Sequence, residues 1–315
     1  MAGLALLAPT ASLKAQSATG ALFLLLPTGA RAVGLGEAVV ADTLGSESLW
    51  WNAAGLARLT KTEVGVQGSR TLFFTGSAVT YARPSARLGT IAVGVNLLDA
   101  GSQELTNSQG VALGEIALRN WIVAASYATT LGRRVDVGLT YKFFQTRFDC
   151  SGFCQDVPVF RAGTSAVDLG MRAVLPTSTP IAIGASVRNI GPRFQINDRE
   201  QADPIATAFQ TGLTAEVPAV HRRSPDLQLR VSSDLFYALR GGDGAVAARA
   251  GTELQWRGLV FVRGGWVVQS GDGSGPSIGF GARVERLIFD IGSRFDGLSA
   301  ATGQLPTYVS LRFGF

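Results

Sequence analysis

Thr307-Tyr-Val-Ser-Leu-Arg-Phe-Gly-Phe315 closes the chain. Val309, Leu311, Phe313 and Phe315 share one parity; Tyr308, Ser310, Arg312 and Gly314 take the other. Side chains alternate across a strand with a period of two, so this stretch reads as a strand with one apolar and one mixed face. Its length is close to the roughly 9–11 residues that a tilted strand needs to cross a bilayer.

The same alternation recurs upstream. Fourteen runs show it, near 62–69, 76–83, 89–98, 119–129, 134–146, 163–174, 181–190, 205–216, 227–237, 245–256, 259–268, 276–285, 287–295 and 307–315. On six of them the charges keep to one parity. Val167, Leu169 and Met171 oppose Asp168 and Arg172, and Ile181, Ile183 and Val187 oppose Arg188. Leu229 and Val231 oppose Arg230 and Asp234; Val246, Leu254 and Trp256 oppose Arg249 and Glu253. Ile278, Phe280 and Val284 oppose Arg283 and Glu285, while Leu287, Phe289 and Ile291 oppose Asp290 and Arg294. A charge facing lipid at mid-membrane costs about 2–4 kcal/mol, which is reason enough for the exclusion.

A soluble β-sandwich would show the same parity with its apolar face inward. Loop lengths separate the two readings. Connections near 99–118, 147–162, 191–204 and 296–306 are long; those near 130–133, 175–180, 257–258 and 285–286 are short. Outer-membrane barrels alternate long extracellular loops with short periplasmic turns, and a sandwich has no reason to. The connection near 217–226 breaks the alternation. The fold expected is therefore all-β, a transmembrane antiparallel barrel spanning 61–315 in the bacterial outer membrane, with both termini periplasmic. Trp121, Tyr127, Trp256 and Trp266 fall on the lipid-facing parity, as girdle aromatics or as ordinary sheet aromatics. Phe313 and Phe315 resemble the C-terminal signal read by the barrel-assembly machinery.

Composition agrees. Of 315 residues, 46% are hydrophobic and only 16% charged, where about 25% is usual. No apolar stretch of the roughly 18 residues a membrane helix needs follows the N-terminus, which excludes a helical bundle. The net charge of +5 is carried by arginines scattered along the chain, which argues against nucleic acid as a partner. His221 is the single histidine, and no nucleophile–base constellation surrounds it. No enzyme, metal site or cofactor is expected. His221-Arg222-Arg223 reads as a solvated turn, with a periplasmic contact as the alternative.

Residues 1–15 read as a secretory leader, with apolar Leu4–Ala8 followed by small residues. An alternative leader uses Ala18–Leu26 and cuts after Ala32. Residues 16–60 do not alternate and are too short and Gly-rich for a domain, so they read as a hatch lodged in the lumen. Ser46 or Ser48 could cap a short helix through Ala57.

Two blocks in this segment resemble the opening of PorV/PorQ proteins, relatives of the FadL transporters. They are Gly29-Ala-Arg-Ala-Val-Gly-Leu-Gly-Glu-Ala38 and Leu49-Trp-Trp-Asn-Ala-Ala-Gly-Leu56. The family usually places Pro where Ala53 stands, implying a looser turn here, and the acidic pair between the blocks is reduced to Asp42. The resemblance implies a fourteen-stranded barrel with Arg31, Gly34, Gly36, Glu37, Trp50, Trp51, Asn52, Gly55 and Leu56 in the hatch. It also implies that Gly29–Gly36 belong to the mature chain, placing cleavage near Ala15. Two functions follow from it. One is type IX secretion-associated handling of exported proteins, with secretion components or cargo as partners. The other is FadL-like passive transport of a hydrophobic small molecule. Membrane lipid and lipopolysaccharide are partners in either case.

Cys150 and Cys154 lie in an expected extracellular loop and most simply form a disulfide; free thiols or a metal site are the alternatives. The inward charges are Asp168, Arg172, Arg188, Arg230, Asp234, Arg249, Glu253, Arg263, Arg283, Glu285, Asp290 and Arg294. They would line a pore or form Arg–carboxylate networks; their mixed signs favour networks. Inward glycines (Gly138, Gly170, Gly184, Gly212, Gly292, Gly314) would leave room for the hatch. Gly241–Gly244 and Gly271–Gly275 read as hairpin turns.

Overall fold

In three dimensions the alternation of sequence becomes an alternation of exposure. On the last strand Val309, Leu311 and Phe313 face outward and exposed, while Tyr308, Ser310 and Arg312 are buried. The computed structural model describes residues 20–153, 160–195, 202–240, 245–270 and 273–315. Residues 1–19, and with them the leader expected over 1–15, lie outside the described residues.

Fourteen strands form a closed barrel. They are β1 (Glu63–Arg70), β2 (Thr75–Ser85), β3 (Gly89–Thr106), β4 (Ala112–Leu131), β5 (Val135–Gly152), β6 (Phe160–Val174) and β7 (Ile181–Ile190). The second half comprises β8 (Ala208–Glu216), β9 (Leu227–Ala238), β10 (Val246–Trp256), β11 (Val260–Gln269), β12 (Gly275–Val284), β13 (Leu287–Arg294) and β14 (Thr307–Gly314). Each pairs antiparallel with its chain neighbour, and β1 closes on β14, with Val66 opposite Leu311. Closure leaves no unpaired edge. The outer wall presents Val79, Val95, Leu139, Leu169, Ile183, Leu235, Val262, Phe280 and Phe289 around its circumference. A continuous apolar belt of this extent suits lipid and not water.

The structure departs from the loop reading in two places. The stretches near 99–118 and 147–162 are mostly strand, because β3–β4 and β5–β6 continue as long hairpins. Lipid patterning ends near Leu98, so the sequence signal stops there; the backbone ladder does not depend on it. The strand read near 205–216 begins only at Ala208. The exceptional 217–226 connection contains α3 (Pro218–Arg223), so His221 sits on an exposed helical turn. Another short helix, α4 (Gly297–Thr302), is closed by a capping box between Asp296 and Ser299.

The N-terminal segment fills the lumen. It holds α1 (Ala30–Gly34), α2 (Ser48–Trp51) and 3-10 turns at Leu22–Leu25, Gly45–Glu47 and Ala53–Arg58. Neither Ser46 nor Ser48 caps a helix. Ser48 Oγ instead accepts from Leu44 N–H (3.0 Å), and Ser46 Oγ accepts from Thr80 Oγ1 (3.0 Å). The cap belongs to Asn52, whose Oδ1 accepts from Ala54 N–H at 3.1 Å.

A belt of wall glycines meets this segment. Gly279 lies directly opposite Gly292, Gly251 opposite Gly265, Gly138 opposite Gly170 and Gly184 opposite Gly212. A Cβ on Gly251 would lie 2.5 Å from Leu35 O, and one on Gly292 would lie 2.5 Å from Ala30 O. A Cβ on Gly34 would reach Gly279 Cα at 2.9 Å. Hatch backbone therefore rests on wall backbone, and no side chain fits between. Gly314 takes no part, with only Thr62 O nearby at 3.9 Å. Gly279→Val should destabilise the folded barrel by about 1–3 kcal/mol or more. Gly264→Val, where nothing lies within 4 Å, should not. Denaturant midpoints of the detergent-refolded variants, read by heat-modifiable electrophoretic mobility, check this; equal midpoints contradict it.

Candidate functional site

The lumen is the candidate site, and it has two halves. At hatch level and below, charges bridge the hatch to the wall. Arg31 on α1 contacts Asp42 (2.8 Å) and Glu253 (3.0 Å). Arg263 contacts the same Glu253 (2.6 Å) and Asp290 (2.7 Å), and Arg312 adds a second contact to Asp290 (3.1 Å). Arg230 reaches Asp42 at 3.3 Å. A second cluster is built on Glu37, which binds Arg249 (2.8 Å) and Arg294 (2.9 Å). Glu37 has a φ of 61°, uncommon for a side-chain-bearing residue, and these two arginines hold it there. Asp136 joins Arg58 (2.8 Å) to Arg172 (3.1 Å), and Lys142 pairs with Asp168 at 2.6 Å.

Further hydrogen bonds and a ring contact complete the bridging. Asp234 accepts from Val40 N–H and from Gln210 Nε2, both at 2.8 Å. Asn52 Nδ2 donates to Val40 O (2.7 Å) and Met171 O (3.1 Å). The turn at Ala53 is thus pinned from both sides, not loosened by the missing Pro. Arg188 stacks over the Trp51 ring at 5.3 Å and donates to Trp50 O at 3.3 Å. Gly55 packs close to Ser48, Leu56 is fully buried, and Gly36 turns with a φ of 61° against the β10–β11 wall. Mixed-sign networks, and no ring of one sign, occupy this half.

Of the residues expected among the lumen charges, Arg283 stands at the short-turn mouth of the lumen and Glu285 lies beyond it. Arg283 is exposed at the short-turn end, near Phe261 (5.6 Å to the ring) and bordering a cavity of about 280 Å³ there. Glu285 sits in the β12–β13 turn with a φ of 53°, also exposed. Both have inward parity, but each is at the strand's end, where parity no longer means burial. Asp136, Lys142 and Arg312 join the networks as well, beyond the lumen charges expected from sequence. All three lie on the buried parity of β5 or β14, so the same parity rule reaches them.

On the long-loop side of the hatch lies an apolar layer, flanked by the Lys142–Asp168 pair and the Thr146–Asn120 hydrogen bond. Phe23 meets Phe144 at 5.7 Å between ring centroids, and Phe144 meets Phe194 at the same distance. Leu24, Ile122, Ala162, Ala166 and Ile205 complete the cluster. The chain from Gly20 to Leu26 occupies this compartment, and Gly20 pairs with Ile205. Only about 20 Å³ remains free beside Phe23, Leu24 and Trp50.

Charge states in the hatch diverge. Burial pushes the Glu37 carboxyl up, but Arg249, Arg294 and Arg188 outweigh it and hold it below the ordinary carboxylate range. Burial also raises Glu47, and there Arg312, with Nε at 3.9 Å, offsets it only in part. Both Glu47 oxygens lack a hydrogen-bond partner among the described residues.

Other expected features are placed as follows. Cys150 lies within β5, two residues before its end, and is disulfide-bonded; Cys154 lies outside the described residues. Tyr127, Trp256 and Trp266 are exposed on the outer wall, and half-buried Trp121 donates to Gln145 Oε1 at 3.2 Å. Phe313 and Phe315 stack on each other at 5.8 Å. The Gly241–Gly244 turn, and residues 271–272 of the other, lie outside the described residues.

No family model and no curated protein matches the chain. Solved structures do. The toluene transporter TbuX of Ralstonia pickettii aligns over 93% of this chain and 100% of its own, with a TM-score of 0.59 and 11% identity. The monoaromatic hydrocarbon channel CymD aligns over 95% and 99%, with a TM-score of 0.59 and 12% identity. A Pseudomonas aeruginosa FadL homologue aligns over 92% and 99%, with a TM-score of 0.52 and 11% identity. Their likeness is one of fold, a fourteen-stranded barrel of the FadL type.

The two glutamates predict opposite responses. A depressed carboxyl stabilises the fold above its unfolded pKa, and this is lost as pH falls; a raised one favours the fold as pH falls. Glu37→Gln should lower the denaturant midpoint near neutral pH, and the loss should shrink as pH falls below about 4. Glu47→Gln should leave the neutral midpoint unchanged or raise it. Equal losses for both variants at neutral pH would contradict the assignment.

Proposed function

We propose that this chain is an outer-membrane barrel that passes a small hydrophobic molecule passively through its lumen. The observation that carries the reading is the division of the lumen. Ion pairs occupy the hatch level, and an apolar compartment lies between the hatch and the long loops. A lumen filled entirely by ion pairs would have no place for such a molecule. The space beside Phe23 is lined by Leu24, Leu26, Trp50, Trp51 and Ile122 together with Thr28, Asn96, Lys142 and Arg188, apolar walls with polar groups set among them as in a small-molecule pocket. Solved barrels of the same fold include a toluene transporter and a monoaromatic hydrocarbon channel, so compounds of that class are the first to test. A cavity of about 150 Å³ accepts benzene, far more than the space left here, so Phe23 and Leu24 must move for binding. No cavity, contact or neighbour favours the secretion-associated reading over this one.

Uptake of a labelled monoaromatic hydrocarbon by cells producing the barrel tests the proposal. Uptake several-fold above control cells is expected, and Phe23→Ala, which empties part of the compartment, should raise it further. Uptake equal to control cells, for both the native chain and Phe23→Ala, would overturn the reading.

A further inference from the structure

Seven of the arginines that look scattered in sequence gather at one end of the barrel. Five of the six short turns carry at least one. Arg83 and Arg87 flank the β2–β3 turn, and Arg133 and Arg134 lie in the β4–β5 turn. Arg222 and Arg223 sit on α3, and Arg286 follows β12. All seven are exposed, and none forms an ion pair among the described residues. Exposed carboxylates at this end are few. Glu216 and Asp226 already face Arg230 (3.6 Å) and Arg257 (3.0 Å), leaving Glu285. At the long-loop end Arg70, Arg161, Arg193 and Arg240 are exposed as well, but carboxylates interleave with the basic residues there, as in the Arg119–Asp99 and Arg147–Asp149 pairs.

The position of these arginines relative to the apolar belt is informative. Arg83 has the same outward parity as Val79 and Tyr81, so it stands on the lipid face at the strand's last turn. Leu88 and Val284 beside the rim are 73% and 68% exposed. Arg257 lies 5.1 Å from the ring of Trp256, itself on the outer wall. Basic side chains bordering an apolar belt and girdle aromatics reach naturally to the headgroup layer. Their distribution also matters. From β2 to β13 they encircle the barrel, whereas one globular acidic partner would touch a single sector.

We propose that the short-turn rim binds the phosphate-bearing headgroups of anionic phospholipids in the leaflet around it. The proposal rests on the membrane-spanning reading of the barrel. It assigns the unpaired arginines a lipid-recognition role separate from the lumen.

The test uses the full chain purified in a zwitterionic detergent. Phosphatidylglycerol and phosphatidylcholine of matched acyl chains are added together, and retained lipids are counted by native mass spectrometry. Phosphatidylglycerol should be retained preferentially, by about five-fold per engaged arginine at low salt, less as salt rises. A variant carrying Arg87→Gln, Arg133→Gln, Arg134→Gln and Arg222→Gln should lose the preference and keep the mobility of a folded barrel. Equal retention of the two lipids, or an unchanged preference in the folded variant, overturns the proposal. So does displacement of phosphatidylglycerol by inorganic phosphate at matched concentration, which would make the rim a free-anion site. Failure to insert into vesicles of either lipid refutes the membrane-spanning reading and the proposal with it. Insertion without lipid preference refutes the proposal alone.

Discussion

Everything in the lumen depends on backbone lying against backbone. Eight wall glycines, paired across four strand boundaries, form the belt that the hatch meets. Seven of them would drive a Cβ into hatch atoms; Gly212 would drive its own into Asp234, which holds Val40 N–H. That closeness brings Arg31 and Glu37 within reach of wall carboxylates and arginines. Each of those charges is taken out of water, and a buried charge without a partner costs several kcal/mol. Geometry set by glycine and electrostatics set by the networks therefore support one another. If the belt fails, the hatch withdraws and the wall charges lose their partners.

The barrel was legible in the sequence because lipid enforces a rule on every strand it touches. Charge on the outward parity is costly, so Val309, Leu311 and Phe313 alternate with Ser310 and Arg312 without exception. Where lipid ends, the rule ends. That is why sequence alone reads the β3–β4 and β5–β6 extensions as loops and sets Glu285, which lies in a turn, among the lumen charges. In the hatch, Arg31, Glu37 and Asn52 stood out, but nothing in one chain tells which wall residue each will meet. The clustering of arginine was invisible for the same reason. Turns separated by tens of residues become neighbours only when the sheet closes.

Three zones follow along the barrel axis. The apolar compartment near the long loops is occupied by the chain's own Phe23 and Leu24. The middle is crossed by the hatch and its ion pairs. The short-turn end opens into a cavity of about 280 Å³ and is ringed by exposed arginines. A hydrophobic molecule suits the first zone but cannot replace the partners of the buried charges in the second, so its passage requires the hatch to shift aside. The two proposed roles thus use different parts of one wall: the apolar compartment for transport and the basic rim for seating the barrel among lipids.

The central claim is that the hatch closes the lumen. It is tested most directly by efflux of a small, water-soluble dye from vesicles into which the native chain has folded, with insertion verified by heat-modifiable mobility. The account predicts that the dye stays inside, as in protein-free vesicles. Rapid, complete efflux of the dye through the folded barrel would contradict it.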